Sequence, residues 1–263
     1  MRSGGLAGRW VHVIFCGALM MLASAPVLAQ APAPPPPAAQ PAQPPPPPPK
    51  VEGSGEFAFV NTAGNAESTS IGVRGEMLMR PDIWLLKTRA AFVRLDSEEG
   101  LEAQSFTFLF RGERPLTPRV SAYGQYDYLR DLFAGLEHKN VVSGGISFKA
   151  YESPRQSLVL DGGLGMSDER RLDAEDVTAA VLLGGIGYKL KVSETTELTD
   201  DVRYEQSLDE GDQWRLDNAV SLVVKINTIF ALKLSNVIRY ANAPVAGFET
   251  TDTVTSVALV AKF

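Results

Sequence analysis

From residue 51 to residue 263 the side chains alternate in polarity with a period of two, over stretches longer than soluble strands use. In "SFTFLFRGE", Phe106, Phe108 and Phe110 alternate with Thr107, Leu109 and Arg111. In "WRLDNAVSLVVKI", Trp214, Leu216, Val220, Leu222, Val224 and Ile226 oppose Arg215, Asp217, Ala219, Ser221 and Lys225. In "FALKLSNVIRY", Phe230, Leu232, Leu234, Ile238 and Tyr240 oppose Lys233, Ser235 and Arg239. This pattern predicts strands with one apolar and one polar face. Many runs reach about 11–14 residues, against about 5–6 in soluble sheets. A tilted membrane strand needs about 9–11.

Breaks divide the chain regularly. Short ones stand at 80–82, 114–119, 152–155, 193–196 and 226–228, and more polar ones at 61–65, 96–100, 131–140, 168–176, 208–212 and 243–252. They separate twelve predicted strands: 54–61, 66–79, 82–95, 101–113, 119–131, 140–151, 156–168, 176–192, 196–208, 213–226, 228–242 and 252–263. The fold class is therefore all-β, an up-and-down antiparallel transmembrane barrel. An even count puts both ends of the barrel domain on one side, with short turns there and longer loops on the other. Closure satisfies every backbone group without water. The longer breaks are acidic, carrying Glu98, Glu99 and Glu102, then Asp168, Glu169, Asp173, Glu175 and Asp176, then Asp209, Glu210 and Asp212. They read as a solvated rim.

Two segments precede the barrel domain, 51–263. Arg2 and Arg9 lead into the apolar run "VHVIFCGALMMLA", and Val27-x-Ala29 supplies a small-residue cleavage site. Residues 1–29 thus read as a secretory signal peptide cut between Ala29 and Gln30. Its removal takes the only cysteine, Cys16. Residues 30–50 contain twelve prolines in 21 positions. They predict a disordered polyproline-II linker in the periplasm, with a docking role for a periplasmic partner left open. A net charge of −6 lacks the basic footprint of a nucleic-acid binder. A mean hydropathy of −0.04 is too low for a helical membrane protein.

The alternation assigns seventeen charged residues to the lumen. Eleven are basic, Arg74, Lys87, Arg89, Arg111, Lys149, Lys189, Arg203, Arg215, Lys225, Lys233 and Arg239, and six are acidic, Glu76, Asp127, Asp161, Asp201, Glu205 and Asp217. Two arrangements compete: salt bridges that plug the lumen, or unpaired Lys and Arg lining a narrow, mildly anion-favouring pore. Asp200 shares the register of Leu198, Val202 and Tyr204, so it faces lipid and is expected near the periplasmic rim, where the cost is small.

No catalytic constellation stands out, and no cofactor or metal site is expected. His138, the single histidine after the signal, falls in a predicted outer loop, so no strand histidine is expected to pair with a strand serine. The "GGIG" at 184–187 lacks the Lys-Ser/Thr of a phosphate loop. Its glycines, with those at 144–145 and 162–163, are expected to ease sheet curvature.

The stretch "GEFAFVNTAGNAESTSIGVRGEMLMRPDIW" (55–84) resembles the opening hairpins of the salt-induced outer-membrane protein family, a Gram-negative domain of unknown function. The resemblance rests on the turn of Thr62, Gly64 and Asn65, the Ser/Thr-rich strand after it and the Arg-bearing strand that follows. It implies an outer-membrane β-barrel and supplies no catalytic residues. The final "TSVALVAKF" resembles the signal read by the barrel assembly machinery, with Val257, Leu259, Ala261 and Phe263 at alternate positions. The expected partners are that machinery, outer-membrane lipids and lipopolysaccharide. The expected function is a non-enzymatic barrel for envelope integrity, osmotic (salt) stress or small-solute passage. The alternative is an adhesin or envelope tether acting through the outer loops or the proline tract.

Overall fold

The computed structural model describes residues 49–63, 68–96, 102–172 and 174–263. The predicted signal peptide and nearly all of the proline tract lie outside the described residues, as do Glu98, Glu99 and Asp173. Twelve strands follow in chain order: β1 (Val51–Ala63), β2 (Ser68–Met79), β3 (Leu85–Asp96), β4 (Glu102–Pro115), β5 (Val120–Asp131), β6 (Leu136–Glu152), β7 (Gln156–Arg171), β8 (Val177–Lys191), β9 (Thr196–Ser207), β10 (Trp214–Lys225), β11 (Phe230–Ala241) and β12 (Thr251–Lys262). Each pairs antiparallel with its chain neighbours, and β12 pairs with β1 to close the barrel. Phe263 extends that seam by exchanging two backbone hydrogen bonds with Gly53, at 2.9 and 3.0 Å.

Register fixes the two faces. Phe57 lies opposite Val73 and Leu259, and Val73 opposite Phe92, so these side chains share one surface. It is the outer one. Phe59 is 63% exposed, Val142 61% and Leu164 59%, part of an apolar belt on the outside of the barrel. Tyr204, Trp214 and Tyr240 stack side by side above it, with ring centroids 6.0 and 4.9 Å apart. Such an aromatic girdle marks the edge of an apolar band.

The strands overrun several predicted breaks. β6 begins at Leu136, where a break to 140 was expected, and β7 runs on to Arg171. Asp168 and Glu169 are therefore strand residues, and Glu102 opens β4. His138 also sits on β6, correcting its assignment to a loop; its register partner is Arg170, which offers no hydroxyl nucleophile. The connection between β5 and β6 shrinks to the short 3-10 turn Leu132–Ala134 plus Gly135. Among the described residues, the longest remaining connection is that between β11 and β12, residues 242–250.

Asp200 stands where the predicted strand 196–208 placed it, toward the short-turn start of β9. It is the fifth residue of β9 on the outward face, with Leu198 below it and Val202 above. At about 3.3 Å per residue and a tilt of about 40°, that is roughly 10 Å from the strand's start. The carboxylate has a local partner there, accepting a 2.6 Å hydrogen bond from Asn218 Nδ2.

Glycines cluster on β6, β7 and β8. A Cβ on Gly145 would lie 2.1 Å from the carbonyl oxygen of Gly162, and one on Gly163 would lie 2.5 Å from the Tyr123 hydroxyl. β6 and β7 approach too closely on their inner face for any side chain at these two positions.

Candidate functional site: the barrel lumen

The register that turns Phe57 outward turns the charged positions inward. Arg74, Glu76, Lys87, Arg89, Arg111, Asp127, Lys149, Asp161, Lys189, Asp201, Arg203, Glu205, Arg215, Asp217, Lys225, Lys233 and Arg239 all fall on the inner face. Ion pairs between strands that are not neighbours show that this face is enclosed. Arg111 on β4 donates to Asp161 on β7 at 2.8 Å. Arg203 on β9 donates to Asp127 on β5 at 3.1 Å. Arg239 on β11 reaches Asp131 at the end of β5 at 2.7 Å, halfway around a ring of twelve strands.

The pairs form two levels. Toward the short-turn end, Glu56 accepts from Lys233 at 2.8 Å and faces Arg74 at 4.0 Å. Glu76 accepts from Arg89 at 2.8 Å, with Lys87 at 3.9 Å. Arg111 also stacks on the Tyr123 ring at 3.9 Å. Toward the other end, buried Glu169 gathers Lys139, Arg171 and Arg215, each at 3.0 Å. Lys139 also bonds Glu205. Lys149 and Lys189 pair near the short turns with Glu152 and Glu197, at 3.3 Å each. Of the basic candidates, Lys225 alone has no carboxylate within 4.0 Å among the described residues.

Between the levels lies a cavity of about 320 Å³. Arg74, Arg89, Asp127, Asp201, Arg203, Glu205, Arg215, Asp217 and Arg239 line it, together with Ser221 and Ser235. The β11–β12 connection covers it. Val245 of that connection is 4% exposed and also lines the cavity. Phe248 lies against Gly135 so closely that a Cβ there would stand 2.4 Å from its ring. Gly135 has φ +70°, a conformation that glycine adopts without steric cost. The connection is anchored beside the barrel wall, where Asn242 donates to the Asp212 carbonyl at 2.8 Å. Phe248 and Gly135 thus join the β11–β12 connection to the β5–β6 connection on the opposite side of the mouth.

Glu56, Asp131, Lys139, Glu169, Val245 and Phe248 were not among the sequence candidates. Continuing the strict alternation through β6 and β7 would have found Lys139 and Glu169, but both stand in segments read as loops. Among the described residues, no group of three or more His, Cys, Asp or Glu is placed to hold a metal ion.

The model of a family described as "Protein of unknown function, DUF481" matches residues 55–263. The chain belongs to this DUF481 family. No curated protein matches it. Among solved structures, the DUF481 chain is similar to the NanC porin, at 7% identity and TM-score 0.55, covering 80% of this chain and 100% of that one. It is also similar to the KdgM porin, at 9% identity and TM-score 0.45, covering 78% and 97%. An outer-membrane channel from Pseudomonas putida F1 gives 11% identity and TM-score 0.49, covering 81% and 95%. At 7% identity the likeness to the NanC porin shows a shared fold alone, a closed antiparallel β-barrel.

Proposed function

We propose that this DUF481 protein is a non-enzymatic outer-membrane barrel that passes small solutes through its lumen, beneath a cover formed by the β11–β12 connection. The observation that carries the reading is the charged cavity of about 320 Å³ inside a closed barrel. It is large enough to hold several water molecules. The apolar outer belt fits a bilayer, and the porin fold supports the location. The ion pairs set the character of the path. Because Glu56, Glu76, Asp127, Asp131 and Glu169 lie against the cations, no unopposed basic wall is left, and selectivity between small anions and cations is weak. The envelope-stress and adhesin readings draw no support from the lumen.

The test is the current carried by the purified full chain in a planar bilayer. Small, discrete conductance steps with a reversal potential near zero in a salt gradient are expected. A bilayer with inserted, heat-modifiable protein and no steps would rule out solute passage. A strong anion preference would rule out the balanced lumen.

A further inference from the structure

A polar seam crosses the outer face of β9 to β12. Asp200, Asn218, Asn236 and Thr255 all project there, on the same register face as the apolar belt. Val202, Leu216 and Ile238 continue each of the first three strands above the seam. Leu198, Leu222 and Leu234 continue them below. On β9, β10 and β11 the seam is therefore flanked by apolar residues on both sides, while on β12 Val257 lies below Thr255 and Thr253 and Thr251 above it. Across the barrel, the outward residues of β4 are Phe106, Phe108 and Phe110.

Two hydrogen bonds tie the seam together: Asn218 Nδ2 to Asp200 Oδ1 at 2.6 Å, and Asn236 Nδ2 to Thr255 Oγ1 at 2.9 Å. Each uses one amide proton. A carboxylate can accept several donors, and each asparagine has a second N–H and a carbonyl oxygen. Acyl chains offer nothing to these groups, and a charge on the lipid face of a barrel is destabilising in proportion to its depth. A surface of this chemistry needs a cover that brings both donors and acceptors.

We propose that the seam is where two copies of this chain meet within the membrane. The surface is complementary to itself: one carboxylate acceptor and two amide donors stand side by side at neighbouring depths. Two copies inserted in the same orientation, related by an axis along the membrane normal, bring the Asn218 amide of one toward the Asp200 carboxylate of the other. Interhelical Asn and Ser groups join membrane helices by the same chemistry. A second copy carries these groups at the matching depth by symmetry, which an unrelated partner would have to supply separately. The inference rests on the membrane location proposed above.

Cross-linking tests it, in a full chain carrying Cys16→Ser. Val220 lies in register between Asp200 and Asn236, so Val220→Cys places a thiol in the seam. Phe108→Cys places one on β4, six strands away. Membranes are treated with a mild oxidant or a short bismaleimide. A covalent dimer several-fold more abundant for Val220→Cys than for Phe108→Cys is expected. Adding Asp200→Leu and Asn218→Leu should abolish that excess while the heat-modifiable barrel persists. Equal cross-linking at the two sites, or an excess that survives the leucine pair, overturns the seam as an interface. Absence of the protein from the membrane fraction instead overturns the membrane location, and the seam with it.

Discussion

Replacing residues 244–249 with a short Gly-Ser turn is expected to raise the single-channel conductance several-fold and leave the barrel folded. The β11–β12 connection contributes no ladder pairing beyond its ends, where Ala241 N–H bonds the Thr250 carbonyl at 2.8 Å. What it contributes is cover. Val245 is almost fully buried over the cavity, and Phe248 bridges to Gly135 on the far side of the mouth. Burying two such side chains stabilises by roughly 3–6 kcal/mol at most. Losing that much lowers the urea midpoint, but a closed twelve-strand ladder remains. The point variant Phe248→Ser should give a smaller rise in the same direction, because it frees the tip without removing Val245. An unchanged conductance in the deletion would place the narrowest point elsewhere, at the Glu56 and Glu76 ion pairs.

The second large effect concerns folding. Gly145→Val is expected to abolish the heat-modifiable barrel. Its Cβ would meet the Gly162 carbonyl at 2.1 Å and the Gly163 Cα at 2.6 Å, both backbone atoms of the paired strand. Neither can retreat without breaking the β6–β7 ladder. Gly162→Ala is the matched control, since nothing lies within 4 Å of a Cβ at that outward position. Removing backbone freedom from the unfolded chain should make it neutral or stabilising by about 0.4–1 kcal/mol. The measurement is the folded fraction on an unboiled gel, with urea midpoints for whatever folds. If the valine variant folded with the midpoint of the alanine control, the close approach of β6 and β7 would not limit assembly.

The strand pattern was legible wherever one face met an apolar environment. β4, β10 and β11 alternate between Phe, Leu or Val and charged or small residues, and their predicted bounds differ from the observed ones by one or two residues. The pattern faded where strands rise past the belt. In the last turns of β7, Met166 is followed outward by Asp168 and Arg170, and inward by Ser167, Glu169 and Arg171. Both faces are polar there, so a period of two leaves no contrast to read. The same holds for Glu137, His138 and Lys139 at the start of β6. That is why Glu169 and its partner Lys139 were hidden in apparent loops. The cover was hidden for another reason. Val245 and Phe248 are apolar residues in a loop, and only tertiary structure shows that they turn inward over a cavity. Asp200 was correctly read as facing outward, but Asn218, its partner, lies across a strand pairing that local sequence does not reveal.

The most direct measurement of the central claim is a thiol block of the lumen. Ser221 lines the cavity on β10, and its neighbour Leu222 faces outward on the same strand. In the Cys16→Ser background, Ser221→Cys or Leu222→Cys is treated with a bulky, charged thiol reagent while current is recorded across a planar bilayer. Passage through the lumen predicts that labelling Ser221→Cys sharply reduces the current and that labelling Leu222→Cys leaves it unchanged. A current indifferent to a fully labelled Ser221→Cys would contradict the account, because the path would then lie outside the lumen.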